Sequence, residues 1–489
     1  MPIPRLVPAA CLLMGLAQTA VAMAPLWAGR AEARDPRGEG IVKVDGAGNL
    51  YLFATAKGFA GERLKGNKDA WGLIKFDANG AKVWSRMWGE REWSPAAAAA
   101  IGPHGEIYLA GMMRGATLVK VDSAGNRKWA VYAKPGTEDR SEFRDVAVDP
   151  EGNVLAAGRT DMDSNDSRYV GRGILLSKFT PEGKPLWKRR LGDRDTEASG
   201  MAVDAQGGIY LVGSVKGDWG GRESPGDDDF FLLKCDSEGE PVWMRRYGNP
   251  GSDRGRQVLV DSAGDILSVG EFARLRRNPA KDEGSDTRLY KHDRDGRLVY
   301  DKTVERNLLL IQGASRSASE GPFALFSEAV GKRETPTGSR PRYRNFLVRI
   351  GPGREERRRV PIDWEGRYFG TGAVESKGFL YVPDLVRDER RNSTEIVIAK
   401  FAAFAPSFEC ARAASFQDSL ICGSEALCEL DAALARAYSE ALKSASDPAA
   451  VKAGQAEWLR NERNLCTTAG HLDACLRKRI EALAKGNPP

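Results

Sequence analysis

The residues best equipped for chemistry crowd one end of the chain. Cys410, Cys422, Cys428, Cys466 and Cys475 fall within the last 80 residues, with one histidine, His471, among them. Thiols at that density either pair as disulfides or hold a metal ion. A single neighbouring histidine favours pairing, so disulfides are expected and a metal is not. Five is an odd number, which leaves one thiol over. Of the remaining cysteines, Cys11 stands near the start and Cys235 stands alone.

Elsewhere catalytic residue types are sparse. His104 lies in the turn "GPHGEI", and His292 fills a slot that holds Phe76, Val121, Phe179 and Cys235 in parallel stretches. A hydrolytic metal site needs several converging ligands. His292 and Cys235 therefore read as packing residues, and a Cys–His nucleophile pair is not supported. Glycosidic cleavage needs only two carboxylates, roughly 5 to 10 Å apart. The recurring Asp77, Asp122, Asp149, Asp204, Asp236 and Asp261, however, all open turns, where capping explains them. "DMDSND" at 161–166 lacks the Gly and Glu of a calcium loop. The repeated Trp84, Trp129, Trp187 and Trp243 would suit a quinone cofactor only with a longer docking pattern, and without it they read as wedge packing. No catalytic, cofactor-binding or metal residue is expected, and the chain is not expected to be an enzyme.

The elements around these residues repeat. "KFDANGAKVW" at 75–84 returns as "KVDSAGNRKW", "KFTPEGKPLW", "KCDSEGEPVW" and "KHDRDGRLVY", each after a short apolar run. The run reads as a strand covered on both faces, and the turn residue followed by Gly closes a hairpin. A second hairpin alternates with the first: "VKVDGAGNLYLFA", "AIGPHGEIYLAG", "AVDPEGNVLAAG", "AVDAQGGIYLVG" and "LVDSAGDILSVG", then a degraded sixth copy and "AVESKGFLYVPD". Two hairpins per roughly 50 residues form a four-stranded propeller blade. The expected fold is mainly β, a seven-bladed β-propeller over 40–404, with 23–39 as a linker or closing strand. "DFFLLKCDSEGEPVWMRRYGNPGSDRGRQVLVDSAGDILSVG" resembles the bacterial SBBP-type β-propeller repeat, a likeness that implies the fold and leaves the function open.

The first residues place Arg5 before an apolar stretch from Leu6 to Leu16 and then Ala20-Val21-Ala22, the order of a cleavable signal peptide over 1–22. The apolar stretch falls short of the roughly 20 residues of a spanning helix. A periplasmic or secreted location is expected, with no membrane span. The net charge of +6 is mild. Eight arginines from Arg340 to Arg359 would suit an envelope polysaccharide, but a charge run usually marks a solvated face. No reading motif points to nucleic acid.

After Phe404 the period becomes helical. Leu427, Leu430, Leu434, Tyr438 and Leu442 mark one helix face, Asp447-Pro448 opens a second helix, and "DACLRKRIEALAKG" forms a third. Antiparallel packing gathers the cysteines at one pole. Cys410–Cys422 and Cys466–Cys475 are the first pairing, although spacing leaves the connectivity open. "ICGSEALCELDAALARAYSEAL", "QAEWLRNERNLC" and "ACLRKRIEAL" resemble the lysozyme-inhibitor LprI N-terminal family. The matching positions are Cys410, Cys422, Leu430, Asp431, Tyr438, Gln455, Trp458, Arg463, Cys466, Cys475, Leu476 and Arg479. Cys428 departs from that pattern, which makes it the odd thiol. Trp458 and Tyr438 read as core, and Arg463 and Arg479 as partners of Asp431 or Glu457. The resemblance implies a small α-helical disulfide-bonded domain over 405–489 and possible lysozyme inhibition.

The expectation is an exported envelope protein that binds a protein, such as a lysozyme, or an envelope polysaccharide. The alternative is a propeller hydrolase acting on cell-wall or other polysaccharide. Oligomeric state is not legible. Cleavage after Ala22 is the first test: N-terminal sequencing of the exported protein should begin at Met23, and a start at Met1 would remove the basis for the compartment.

Overall fold

A computed structural model describes residues 27–34, 36–59, 62–63, 69–89, 95–113, 115–132, 141–161, 172–192, 195–219, 226–261, 264–273, 285–306, 309–311, 323–335, 338–350, 357–362, 367–368, 374–376, 379–388, 393–402, 415–422, 424–445 and 447–484. The expected signal peptide, Cys11 and Cys410 lie outside them. The described chain is mainly β, built from four-stranded antiparallel sheets that follow one another in sequence.

The first sheet is made of Arg37–Val44, Leu50–Ala56, Ala70–Phe76 and Lys82–Trp88. The second comprises Ala96–Ile101, Ile107–Met112, Ala116–Val121 and Arg127–Tyr132. Glu142–Val148, Val154–Asp161, Arg172–Phe179 and Pro185–Leu191 form the third. Thr196–Val203, Ile209–Lys216, Asp228–Cys235 and Pro241–Tyr247 form the fourth. The fifth holds Asp253–Val260, Ile266–Ala273, Ser285–His292 and Leu298–Arg306. A sixth runs Leu309–Ile311, Phe323–Thr335, Gly338–Ile350 and Arg357–Ile362. In the last sheet Phe379–Asp388 pairs with Ser393–Ala402, whose other edge takes Trp27–Arg34 from the opposite end of the chain.

Apolar clusters show how the sheets stack. One joins Ile41, Tyr51 and Trp71 of the first sheet to Ile107 and Val119 of the second. Others join second to third, third to fourth, and fourth to fifth. A further cluster sets Ala31, Tyr381, Ile396 and Ile398 of the last sheet against Leu50, Leu52, Ile74 and Phe76 of the first. First strands of successive sheets are neighbours, an arrangement of propeller type. Strands such as Leu50–Ala56 are buried along their whole length because a sheet covers each face.

The recurring Lys, Gly and Trp now have a common cause. Lys75 and Trp84 lie opposite each other across a strand pair. Lys75 Nζ and Trp84 Nε1 both donate to the carbonyl of Ser123, in a turn of the next sheet, at 3.4 and 3.3 Å. Lys120 and Trp129 reach Pro181 O in the same way, at 2.9 and 3.1 Å. Lys178 reaches Ser237 O at 3.5 Å, while the Trp187 indole N–H has no partner among the described residues. In each case the turn glycine of the next sheet lies on the indole: Gly125 on Trp84, Gly183 on Trp129, Gly239 on Trp187 and Gly296 on Trp243. The turn aspartates serve their own loops. Asp122 Oδ1, for example, accepts from Ala124 N and Asn126 N at 3.0 and 2.8 Å.

Cys235 and His292 are fully buried, as packing requires. Burial pushes the Cys235 thiol up to about 12. Burial, with Arg245 beside it, lowers His292 to about 4, and its Nε2 lies 2.5 Å from the Tyr247 hydroxyl.

Four helices end the chain: α1 (Phe416–Cys422), α2 (Glu425–Ser444), α3 (Pro448–Asn461) and α4 (Ala469–Ala484), with a 3₁₀ turn at Arg463–Leu465. Three helices were legible in the sequence, and α1 is additional. Asp447 caps α3 by accepting from Ala449 N at 2.9 Å, with Pro448 in its first turn. The helical core includes Ile421, Leu427, Leu434, Trp458, Leu472 and Leu476, and it extends onto Val382 and Ala399 of the last sheet.

The glycine contact is separable from glycine's backbone freedom. Gly183 (φ 82°) would place a Cβ 2.8 Å from Trp129, whereas Gly105 (φ 79°) faces open space. Gly105→Ala should lose about 1 kcal/mol from backbone strain alone. Gly183→Ala should lose about 1 to 3 kcal/mol more through the displaced indole. Equal losses in urea unfolding would show that the indole contact is not a constraint.

Candidate functional site

The second hairpins end in glycine, at Gly111, Gly158, Gly213 and Gly270, and these residues position the site. A Cβ on Gly158 would lie 2.1 Å from Glu142 O, and one on Gly213 would lie 1.9 Å from Glu197 O. Glycine allows the first strand to press that close. Opposite it, each first strand bulges, leaving Ala97, Arg144, Ser199 and Arg256 out of register. A bulge re-aims the side chain it carries. In the third and fifth sheets that side chain is an arginine.

Arg144 gathers charge from two sheets. Its Nε bonds Glu142 Oε1, and its Nη1 bonds Glu197 Oε1 at 3.0 Å. Arg159 adds contacts to the same carboxylates, Nε to Glu142 Oε1 at 3.2 Å and Nη1 to Glu197 Oε2 at 3.9 Å. Next along, Arg256 Nη2 pairs with Glu271 Oε2 at 2.6 Å. Burial acts to lower the Arg144 guanidinium, but Glu142 and Glu197 outweigh it and raise it. The side chains keep some access to solvent: 27% for Arg144, 12% for Glu142 and 16% for Glu197.

Asp145, one residue past the bulge, accepts from its own neighbour Val146 N at 2.8 Å and from Met201 N of the fourth sheet at 2.7 Å. Burial raises its carboxyl above the usual range, against the opposing pull of Lys43. Lys43 is lowered by burial, with Asp145 opposing. The pair spans from first sheet to third. The second sheet between them carries a run of alanines, Ala96–Ala100, on its first strand. A half-buried acid and base with opposed shifts is a mark of functional sites.

Sequence reasoning did not single out these residues. The glycine ending each "LAG", "AAG", "LVG" and "SVG" was visible in the repeats, and it is the signal for the bulge. The motif positions in the helices are structural. Trp458 is buried under the Arg479 guanidinium, 5.8 Å from the ring, and Arg479 Nε donates to Gln455 Oε1 at 2.9 Å. Tyr438 packs on the same core, and Asp431 is buried. Arg463 pairs with Asp418, so the expected pairing of Arg463 and Arg479 with Asp431 or Glu457 is replaced by Asp418 and Gln455. The α1 helix, which carries Asp418, was absent from the sequence reading.

Cys422 is disulfide-bonded to a partner outside the described residues, as is the expected partner Cys410. The Cys428 thiol donates to Ile421 O at 3.0 Å. Cys466 and Cys475 face each other as thiols, sulfurs 2.9 Å apart. With His471 they form, among the described residues, a group spaced to hold a metal ion.

No family model matches the chain. It is 24% identical over 172 residues to the Regulatory protein FlaEY of Caulobacter vibrioides, covering 32% of this chain and 18% of that protein. The chain thus spans less than a fifth of that relative's length. Among solved structures it is similar to the polysaccharide lyase Uly1, with 12% identity, 75% of this chain and 90% of that one covered, and a TM-score of 0.46. It is also similar to the WD40 domain of Neurospora crassa Pan2, with 11% identity, 63% and 89% covered, and a TM-score of 0.36. The expectation of a chain that is not an enzyme is corrected here: solved structures similar to it include polysaccharide lyases.

Asp253 opens the first strand of the fifth sheet, beside the buried Asp229–Arg246 pair. Burial lifts it to about 7 despite bonds from Asn249 N and Ala273 N, with the Asp229 charge adding. A carboxyl raised on folding stabilises the fold when protonated. That contribution is complete below about pH 4 and disappears as pH climbs through about 7. Calorimetry across that window should show the melting temperature falling with pH, and Asp253→Asn should flatten the fall. An unchanged slope in Asp253→Asn would assign the dependence elsewhere.

Proposed function

We propose that this chain is an exported seven-bladed β-propeller with a C-terminal helical module, and that it cleaves an acidic polysaccharide at the bulges of its first strands. The observation that carries the reading is the clamp of Glu142 and Glu197 on one guanidinium, Arg144. Glycosidic cleavage needs two carboxylates roughly 5 to 10 Å apart, and two that bond one guanidinium are held close to each other.

Arg144 and Arg159 suit the acid groups of such a polymer, which would compete with Glu142 and Glu197 for the guanidinium forks. Each carboxylate so released is free to move a proton. One, in its protonated acid form, would give that proton to the leaving oxygen, and the other, ionised, would take a proton from water attacking on the opposite side of the sugar. The site thus couples binding of the anionic chain to release of its acid and base.

A second reading rests on the helices. Phe416 and Leu465 are 58% and 65% exposed, and Gln417 Nε2 ties their segments together by donating to Asn464 O at 3.0 Å. That apolar pair suits a protein partner, for which a lysozyme is the candidate implied by the resemblance.

The test is the mature full chain with a panel of acidic polysaccharides, following reducing ends and, separately, the ultraviolet absorbance of unsaturated ends. Glu142→Gln and Glu197→Gln should each lower the rate by about 10²- to 10⁴-fold with circular dichroism unchanged. Polymer that is retained but not shortened would replace cleavage with binding. Neither retention nor cleavage would remove the site.

A further inference from the structure

We propose that Cys466, His471 and Cys475 form a binding site for a thiophilic divalent metal ion of the zinc class, independent of the reading proposed for the strands. The sequence favoured a disulfide here, and the structure adds an imidazole beside the two sulfurs. The two sulfurs and an imidazole nitrogen all lie within 4.8 Å of one another. His471 and Cys475 are four residues apart on α4, one above the other on the same face. Cys466 comes to that face from the 3₁₀ turn at Arg463–Leu465.

A disulfide would use only the two sulfurs. An ion uses all three. Donors 2.0 to 2.3 Å from a tetrahedral ion stand roughly 3.5 to 3.8 Å from one another. The sulfurs, now 2.9 Å apart, would open slightly, and the imidazole nitrogen, within 4.8 Å of both, would adjust to the same spacing. Two thiolates balance the charge of the ion, and binding releases the two thiol protons.

The frame around the donors is already fastened. Gln417, itself buried, donates through Nε2 to the carbonyls of Asn464 and Cys466 at 3.0 and 2.8 Å, fixing the backbone that carries the first sulfur. Thr468 Oγ1 accepts from His471 N at 3.2 Å and so sets the start of α4. Outer bonds of this kind orient metal ligands. His471 is on the solvent side, so the fourth position would be taken by water.

The experiment uses the full chain, reduced by a phosphine and freed of metal, titrated with Co²⁺. One equivalent should bind, with a thiolate-to-cobalt charge-transfer band and the visible bands of a tetrahedral ion, and Zn²⁺ should displace it one for one. Cys466→Ser and Cys475→Ser should each remove the charge-transfer intensity of their sulfur. The exposed His471→Ala should keep the fold and weaken binding by about 10-fold or more. Cys428→Ser should leave the spectrum unchanged. Absence of the bands in the reduced full chain overturns the proposal. Bands of equal strength and affinity in His471→Ala overturn it as well.

Discussion

The structure depends on the fit between a tryptophan of one sheet and a hairpin turn of the next. A sheet apolar on both faces cannot stand alone in water, so it must be told how far to slide against its neighbour. Burial does not supply that instruction, because burial has no direction. The paired Lys and Trp donors do: one carbonyl, at Ser123 or Pro181, receives both, and the indole fits only where the turn has no Cβ. Each such bond contributes only about 1 kcal/mol, but repetition from sheet to sheet fixes a common stacking geometry.

That fixed stacking is what gives the strand bulges their meaning. Glu142 and Glu197 belong to different sheets, and they meet on Arg144 only because the sheets cannot slip relative to each other. Asp145 makes the dependence explicit, since it takes a backbone N–H from the neighbouring sheet at Met201. The charged cluster is thus an outcome of the same registration that holds the wedge contacts, set at the other end of the sheets' geometry.

Much of the fold was legible because it is local and repeated. A strand, a turn aspartate and a positive-φ glycine lie within ten residues of one another, and five copies average away the exceptions. The slot shared by Phe76, Cys235 and His292 showed which residues pack, and burial explains the neutral state of that histidine. The charged cluster was hidden for the opposite reason. Nothing in the spacing of Glu142, Arg144 and Glu197 reveals that a carbonyl enters the space above Gly158 or that two sheets share a guanidinium. Arg463 was misassigned because its partner, Asp418, sits on a helix of only seven residues whose periodicity is too short to register.

The strand Trp27–Arg34 completes the sheet formed by Phe379–Asp388 and Ser393–Ala402, so the two ends of the β region are hydrogen-bonded to each other. Such a contact has nearly the largest sequence separation the chain allows, and its closure entropy is paid after every other sheet exists. During synthesis the first strand has to wait, exposed, for its partner. Opening the finished molecule at this seam would part the two ends of the β region, and the helical core packs onto Val382 and Ala399 of the same sheet.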